Sequence, residues 1–134
     1  MTTHTGSCSC GAVQFRVEGD LGPVQVCHCH QCQKAQGGAF VAIIAVPKAD
    51  FVVTAGEDVL TAFESTPGKE RVFCSRCGSP IISRRADLDV VRVRVGALDQ
   101  PTGAHIDSHA FTDFRADWFD LRDGRTEYPG VRGG

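Results

Sequence analysis

Short runs of alternating hydrophobic and polar residues, separated by Gly and Pro, make up much of the chain. In Ala12–Glu18, the apolar residues Val13, Phe15 and Val17 alternate with polar ones, which is the period of a strand with one buried face. Further strands are predicted where Val-, Ile- and Phe-rich segments are bounded by turn residues, at Val24–Cys27, Phe40–Val46, Phe51–Thr54, Leu60–Glu64, Arg71–Phe73, Ile81–Ser83 and Val90–Val95. Only Gln31–Gln36 looks helical. The pattern predicts a mainly β fold.

The last third of the chain gives a weaker pattern. Asp99–Gly103 is predicted to be a loop, and Asp113–Asp120 carries Phe114, Trp118 and Phe119 at a spacing compatible with a helix. We interpret these aromatic residues as part of the hydrophobic core; a surface that stacks on a substrate is the alternative.

Length and composition narrow the class of protein. A chain of 134 residues fits one domain, so we expect residues 1–134 to form a single domain. Hydrophobic residues make up 42% and charged residues 22%, as in a globular protein. The formal net charge is −2, and the chain contains no Lys/Arg-rich run. Nucleic acid is therefore not an expected partner.

The apolar segments and the first residues also indicate where in the cell the protein is expected. The longest of them, Phe40–Val46, is too short to span a bilayer, so no membrane association is expected. The first residues lack the charged and apolar regions of a secretory signal. We therefore expect the protein to be cytoplasmic, in a reducing environment where clustered cysteines bind metals rather than form disulfides.

The chain has seven cysteines, an odd number that cannot pair completely. They fall into three groups, which are Cys8 and Cys10, then Cys27, Cys29 and Cys32, then Cys74 and Cys77. A zinc ion held by four thiolates stabilises a fold, whereas three protein ligands leave a coordination position open for chemistry. Seven thiolates therefore predict one structural site and one reactive site.

The structural site is predicted from two pairs. Cys74-x-x-Cys77 followed by Gly78 is typical of a tight turn that directs two sulfurs at one ion. Cys8 and Cys10 are two apart, so on an extended segment they project to the same face and can complete the site. A redox dithiol at Cys74 and Cys77 is the alternative, but it would leave the first pair unexplained.

The reactive site is predicted at Cys27, Cys29 and Cys32. Three thiolates make zinc a weaker Lewis acid, which suits binding of an incoming thiol better than activation of water. His28 or His30 as a fourth ligand would instead close the site. A site that only carries or senses zinc is a further alternative. The distant histidines are interpreted as surface or core residues: His4, His105 and His109.

Two polar features near these groups have alternative interpretations. The backbone N–H groups at Gly37 and Gly38 could bind a carboxylate, although the end of a helix is the simpler interpretation. Arg84 and Arg85 could bind an anionic substrate, although adjacent arginines usually belong to a solvated turn.

From about Gly6 to Trp118 the chain resembles the glutathione-dependent formaldehyde-activating enzyme (GFA) family, and every cysteine falls on a family position. The segments that carry the resemblance are Gly6-x-Cys8-x-Cys10-Gly11-x-Val13-x-Phe15, Cys27-His28-Cys29-x-x-Cys32-Gln33-Lys34, Gly37-Gly38-Ala39-Phe40, Phe73-Cys74-x-x-Cys77-Gly78-Ser79-Pro80 and Val95-Gly96-Ala97-Leu98-Asp99. The resemblance implies a zinc-stabilised β-tent of short antiparallel sheets. It also implies two zinc ions per chain, a structural one on Cys8, Cys10, Cys74 and Cys77 and a catalytic one on Cys27, Cys29 and Cys32.

The resemblance also implies an activity. The family is named for the reversible addition of glutathione to formaldehyde, which gives S-(hydroxymethyl)glutathione and is classed as a carbon–sulfur lyase reaction. We expect an enzyme of this type, acting on a small glutathione-like thiol and a formaldehyde-like aldehyde. A non-catalytic, zinc-stabilised module that binds a thiol or a protein, and a zinc or redox sensor, are the alternatives.

Overall fold

The computed structural model describes residues 2–133 of the chain. Within them lie the strands Thr3–Ser7 (β1), Gln14–Glu18 (β2), Val24–Cys27 (β3), Val41–Pro47 (β4), Phe51–Ala55 (β5), Leu60–Thr66 (β6), Lys69–Cys74 (β7), Pro80–Arg85 (β8), Val90–Arg94 (β9), Ile106–Ala110 (β10) and Thr126–Glu127 (β11). One α-helix, His30–Gln36 (α1), follows β3. Short 3-10 turns lie at Lys48–Asp50, Glu57–Val59, Val95–Ala97 and Thr112–Phe114.

The predicted mainly β fold is confirmed, and each predicted strand overlaps an observed one. In β2 the predicted alternation places Phe15 and Val17 in the core, each only 1% exposed. The predicted helical turn at Gln31–Gln36 corresponds to α1. Strands β1, β10 and β11 were not predicted from the sequence.

The chain divides into two compact units, and the first comprises residues 2–22 and 44–103. It contains an antiparallel sheet in the order β1-β2-β5, in which Gly6 lies opposite Phe15 and Phe15 opposite Val53. It also contains strands in the order β9-β8-β7-β6, each of which pairs antiparallel with the next. Strand β1 ends just before Cys8 and β7 ends at Cys74, so the strand ends place these two cysteines.

The second unit comprises residues 23–43 and 104–133. Strand β3 pairs antiparallel with the start of β4, where Cys27 lies opposite Val41. On its other side β3 pairs parallel with β10, where Ala110 lies opposite Cys27, and β10 pairs parallel with β11. The other strand pairs described above are antiparallel, as the family resemblance implied, and the parallel pairs are an addition to them. The parallel pairs bring the end of the chain beside the Cys27 segment.

The core assignment of the late aromatic residues was wrong for two of the three. The Phe114 side chain is 47% exposed and Trp118 is 69% exposed. Only Phe119 packs inward, with its ring centroid 5.4 Å from that of Phe40. The segment is also not a regular helix, because it contains only the end of a 3-10 turn and a second turn at residues 117–118. No helix among residues 2–133 is long and apolar enough to cross a membrane.

A glycine before the second 3-10 turn gives a test of the first unit. Gly56 has a φ of 80°, and a Cβ there would lie 2.1 Å from the backbone oxygen of Ala12. We expect Gly56→Ala to lower the free energy of unfolding by about 1–3 kcal/mol or more, because left-handed strain and a backbone clash add together. Denaturant unfolding measures this. Gly22→Ala is the control, since open space surrounds Gly22 and its φ is not left-handed. A change at Gly56 no larger than the control would contradict the prediction.

Candidate metal centres

Two backbone turns in the first unit carry the four-cysteine cluster. After β1, the Gly11 N–H donates to the Cys8 carbonyl oxygen at 3.0 Å, and the Val13 N–H donates to the Cys8 sulfur at 3.2 Å. After β7, the Gly78 N–H donates to the Cys74 carbonyl oxygen at 2.8 Å. Both turns end at a glycine with positive φ, which a residue with a Cβ adopts only with strain. Each turn therefore directs two cysteines to one side.

The geometry of this cluster fits zinc. The sulfurs of Cys8, Cys10, Cys74 and Cys77 all lie within 4.8 Å of one another, and none forms a disulfide. The Cys8 and Cys10 sulfurs are 3.6 Å apart, and the Cys10 and Cys74 sulfurs are 3.9 Å apart. Zn–S bonds of about 2.3 Å in a tetrahedron place the sulfurs about 3.8 Å apart. The four thiols are thus spaced as zinc ligands require.

Charge favours a cation in this cluster. Hydrogen bonds with the hydroxyl and backbone N–H of Ser79 lower the pKa of Cys77 to about 5. The Ala12 N–H lowers the pKa of Cys10, but the Cys8 sulfur, burial and the Cys77 and Cys74 sulfurs together raise it to about 11. Thiolates this close repel each other, so only a bound cation lets all four ionise together.

The second cluster lies in the other unit, where β3 leads into α1. Cys27 is the last residue of β3, Cys29 is the N-cap of α1, and Cys32 lies in the first turn of the helix. Their three sulfurs lie within 4.8 Å of one another. Cys32 is buried and packs with Val41, while Cys27 and Cys29 are partly exposed. The triad therefore has a packed base and an accessible side.

Electrostatics again favour a cation at the triad. The hydrogen bond with the Cys32 sulfur, and then burial, raise the pKa of Cys27 well above that of an ordinary thiol. The Cys29 sulfur accepts a hydrogen bond from the Cys32 N–H at 3.4 Å. A soft divalent cation such as zinc would offset the repulsion among three thiolates. The donor set therefore fits zinc with three protein ligands.

Neither neighbouring histidine belongs to the triad. His28 is fully buried, and its Nε2 lies 2.8 Å from Nδ1 of His109. His30 is exposed, and its ring contacts Phe114 edge-on at a centroid distance of 5.4 Å. Within residues 2–133, no histidine joins either cysteine cluster. The fourth-ligand alternative at His28 or His30 thus has no support from the geometry.

The other histidines divide between surface and core, as predicted. His105 is exposed and His4 is partly buried, whereas His109 is 1% exposed. His109 is more than a core residue, because its Nε2 lies 2.8 Å from Oδ2 of Asp123. No local pattern predicts the hydrogen-bonded series Asp123–His109–His28, since its members lie far apart in the sequence.

The other polar features are satisfied within the fold. The N–H groups of Gly37 and Gly38 both donate to the Gln33 carbonyl oxygen, at 2.8 and 3.3 Å, so the helix-end interpretation is confirmed. Arg84 pairs with Glu70 and Arg85 with Asp87, as in an ordinary solvated surface. These groups leave the cysteine clusters as the candidate sites.

A cavity of about 530 Å³ lies in the first unit. Its lining mixes polar and apolar surface and contains no cysteine, with Lys48, Glu57 and Arg84 as its charged residues. Without a cysteine or a cluster of metal ligands, it offers no metal chemistry comparable to that of the cysteine clusters.

Comparison with known proteins agrees with the cysteine pattern. A family model described as glutathione-dependent formaldehyde-activating enzyme matches residues 3–114. A Halomonas elongata protein provisionally named after the same enzyme is 33% identical over 132 residues, covering 87% of this chain and 79% of the relative. A Fusarium vanettenii protein with the same provisional name is 31% identical over 77 residues, covering 58% of this chain and 41% of the relative.

A solved structure shares the fold. The crystal structure of a Rhodobacter sphaeroides protein matches with a TM-score of 0.61, covering 92% of this chain and 98% of that one. The sequence identity is 21%, so this likeness concerns the fold alone.

Proposed function

Because the chain belongs to the glutathione-dependent formaldehyde-activating enzyme family, we propose that it is a zinc-dependent enzyme that forms or cleaves an adduct of a small thiol and an aldehyde. Glutathione and formaldehyde are the proposed pair, after the family name. The observation that carries the proposal is the partly exposed cluster of three thiols, which contains no histidine or carboxylate from residues 2–133.

Two zinc ions per chain are part of the proposal. Cys8, Cys10, Cys74 and Cys77 would hold a structural zinc, because four thiolates leave it no open position. Cys27, Cys29 and Cys32 would hold the catalytic zinc. When bound there, zinc supplies an open coordination position and a positive charge that favours the thiolate form of an incoming thiol.

The reaction balances without an oxidant or reductant. The thiol sulfur forms a bond to the aldehyde carbon as the carbonyl π bond breaks, and the thiol proton ends on the new hydroxyl oxygen. The reverse reaction breaks the carbon–sulfur bond, which makes the proposed class a carbon–sulfur lyase. Buried Cys32 anchors the triad, while partly exposed Cys27 and Cys29 leave one side open to the thiol.

A cytoplasmic location and a single functional domain over residues 1–134 complete the proposal. The reducing cytoplasm would keep all seven thiols available as ligands and would supply glutathione.

Exchange spectroscopy on formaldehyde and glutathione tests the proposal. We expect the zinc-loaded protein to accelerate exchange between free formaldehyde and its glutathione adduct, and the zinc-stripped protein to have no effect. Zinc analysis of the same samples should give two ions per chain. An exchange rate equal to that of protein-free solution would reject the named pair, and a screen of other thiols and aldehydes would then decide whether the reaction type holds.

A binding module is the second candidate, favoured by the exposed aromatic side chains of Phe114 and Trp118. Such surfaces often mark interaction sites. A protein that retains two zinc ions but accelerates no thiol–aldehyde pair would favour this candidate over the enzyme.

A further inference from the structure

A hydrogen-bonded series of side chains runs from Asp123 at the surface through two buried histidines to the segment that carries the triad. Oδ2 of Asp123 lies 2.8 Å from Nε2 of His109, and Nδ1 of His109 lies 2.8 Å from Nε2 of His28. His28 is fully buried and His109 is 1% exposed, whereas the Asp123 side chain is 33% exposed. Neither the proposed reaction nor the family motifs quoted above use Asp123 or His109.

The chemistry of the groups assigns the protons along this series. The Arg125 N–H, and then His109, lower the pKa of Asp123, so its carboxylate is ionised and can only accept. A neutral His109 then carries its proton on Nε2 and accepts at Nδ1. His28 must in turn donate from Nε2, which leaves its Nδ1 as an acceptor. That Nδ1 is buried and has no hydrogen-bond partner among residues 2–133.

The backbone and the ring face of His28 are also held in place. Its backbone N–H donates to the Ala110 oxygen at 3.0 Å, and its carbonyl oxygen accepts from the Gln33 side chain at 2.8 Å. Its ring packs against Phe40, with a centroid distance of 5.4 Å. Because His28 is the residue between Cys27 and Cys29, whatever holds its ring also restricts the backbone that presents both thiols.

We propose that Asp123 and His109 are positioning residues for the cysteine triad, which act by locking His28 in one tautomer and one orientation. The segment Cys27–Cys29 is then preorganised to present two of the three thiols before a metal binds. Groups that hydrogen-bond directly to a metal ligand typically change metal affinity by about 10- to 100-fold, which sets the scale for residues that act through the neighbouring His28. The inference rests on the proposed zinc at the triad, but the tautomers can be tested without it.

The first test observes the tautomers directly in the wild-type protein. Two-bond ¹⁵N–¹H correlation spectra of the imidazole rings distinguish the two nitrogens by their chemical shifts. We expect the Nε2–H form for both His28 and His109 near neutral pH. An Nδ1–H form at His28 would overturn the proposal, because the series would then run in the opposite sense or not exist.

The second test measures zinc affinity by competition with a chromophoric chelator. Asp123→Ala removes the acceptor and is expected to weaken the triad's zinc binding by about 10-fold or more. Asp123→Asn keeps a carbonyl oxygen that can accept from His109 and should restore most of the affinity. Asp120→Asn is the matched control, since Asp120 is 65% exposed and pairs only with Arg122 among the described side chains.

The second zinc site and a cobalt spectrum distinguish a positioning effect from a general loss of stability. The four-cysteine cluster in the same molecule is an internal reference, and its affinity should not change in any of these variants. Cobalt loaded at the triad should show a shifted ligand-field spectrum in Asp123→Ala, which a merely less stable protein would not show. Unchanged affinity and spectrum would refute the positioning role alone. A wild-type triad that binds no zinc would refute the proposed function as well.

Discussion

Loss of one thiol from the four-cysteine cluster is expected to have the largest effect on stability. In Cys74→Ser, the first unit should lose its zinc and unfold under conditions where the wild type stays folded. Zinc binding in small metal-dependent domains supplies about 10 kcal/mol of folding free energy, comparable to the entire stability of a domain. Cys74 is completely buried at the end of β7, so the variant cannot recruit water as a ligand without opening the turn.

The structure explains why little else would hold the two turns together. Apart from the sulfurs, the hydrogen bond from the Ser9 N–H to the Ser79 hydroxyl, at 2.9 Å, joins the segments. A single partly exposed hydrogen bond contributes about 1 kcal/mol. Without the metal, repulsion among the remaining thiolates would oppose even that contact.

Thermal unfolding followed by circular dichroism, with zinc analysis of the same sample, measures the effect. We expect Cys74→Ser to unfold at a Tm lower by more than about 10 °C, since 1 kcal/mol corresponds to roughly 4–8 °C in a domain of about 60–100 residues, the size of the first unit. Ser75→Ala, at the exposed neighbouring position, is the control and should leave both zinc content and Tm unchanged. A variant that loses one zinc yet unfolds within about 2 °C of the wild type would contradict a structural role.

The sequence predicted those parts of the fold that hydrophobic alternation or spacing specifies. Strand β2 was predictable because Phe15 and Val17 alternate with polar residues and bury one face. The turn at Cys74 and Cys77 was predictable because two thiols with that spacing, followed by Gly78, suit one ion. In β2 and in this turn, the residues that the fold requires are also the ones that make a recognisable local pattern in the sequence.

Other elements depend on contacts that no local pattern reveals. Strand β1 has the sequence Thr-His-Thr-Gly-Ser and lacks apolar alternation. It pairs with β2 because the buried Gly6 has no side chain: a Cβ there would lie 2.1 Å from the Phe15 ring. Strand β10 buries Ser108 and His109, which are polar residues whose partners lie elsewhere in the chain.

The same limit applies to the candidate sites. The grouping of cysteines in the sequence predicted both clusters. The three cysteines of residues 27–32 are close in sequence, and the two distant pairs each supply two of the four ligands that a closed zinc site needs. The aromatic residues were misassigned because Trp118 has the composition of a core residue but lies on the surface. Burial of such a residue depends on what packs over it, and spacing within one segment does not carry that information.

Loss of one thiol from the triad is expected to abolish activity while sparing the first unit. In Cys29→Ser, the acceleration of exchange between formaldehyde and its glutathione adduct should fall to the rate of protein-free solution. Serine places a neutral hydroxyl where the triad needs a thiolate, and two remaining thiolates bind zinc too weakly to retain it against a chelator. Because Cys29 also caps α1 through the Cys32 N–H, a serine cap keeps the helix start intact.

The comparison with His30→Ala makes this result specific. His30 follows Cys29 directly, but its ring is exposed and packs on Phe114, so its removal should leave zinc content and exchange rate unchanged. Cys29→Ser should lose one zinc of two and unfold at a Tm close to that of the wild type, because the four-cysteine cluster remains intact. An active Cys29→Ser protein would show that the triad is not where the thiol and aldehyde meet. Loss of activity in His30→Ala with zinc retained would instead place the reaction at the helix start rather than at the three sulfurs.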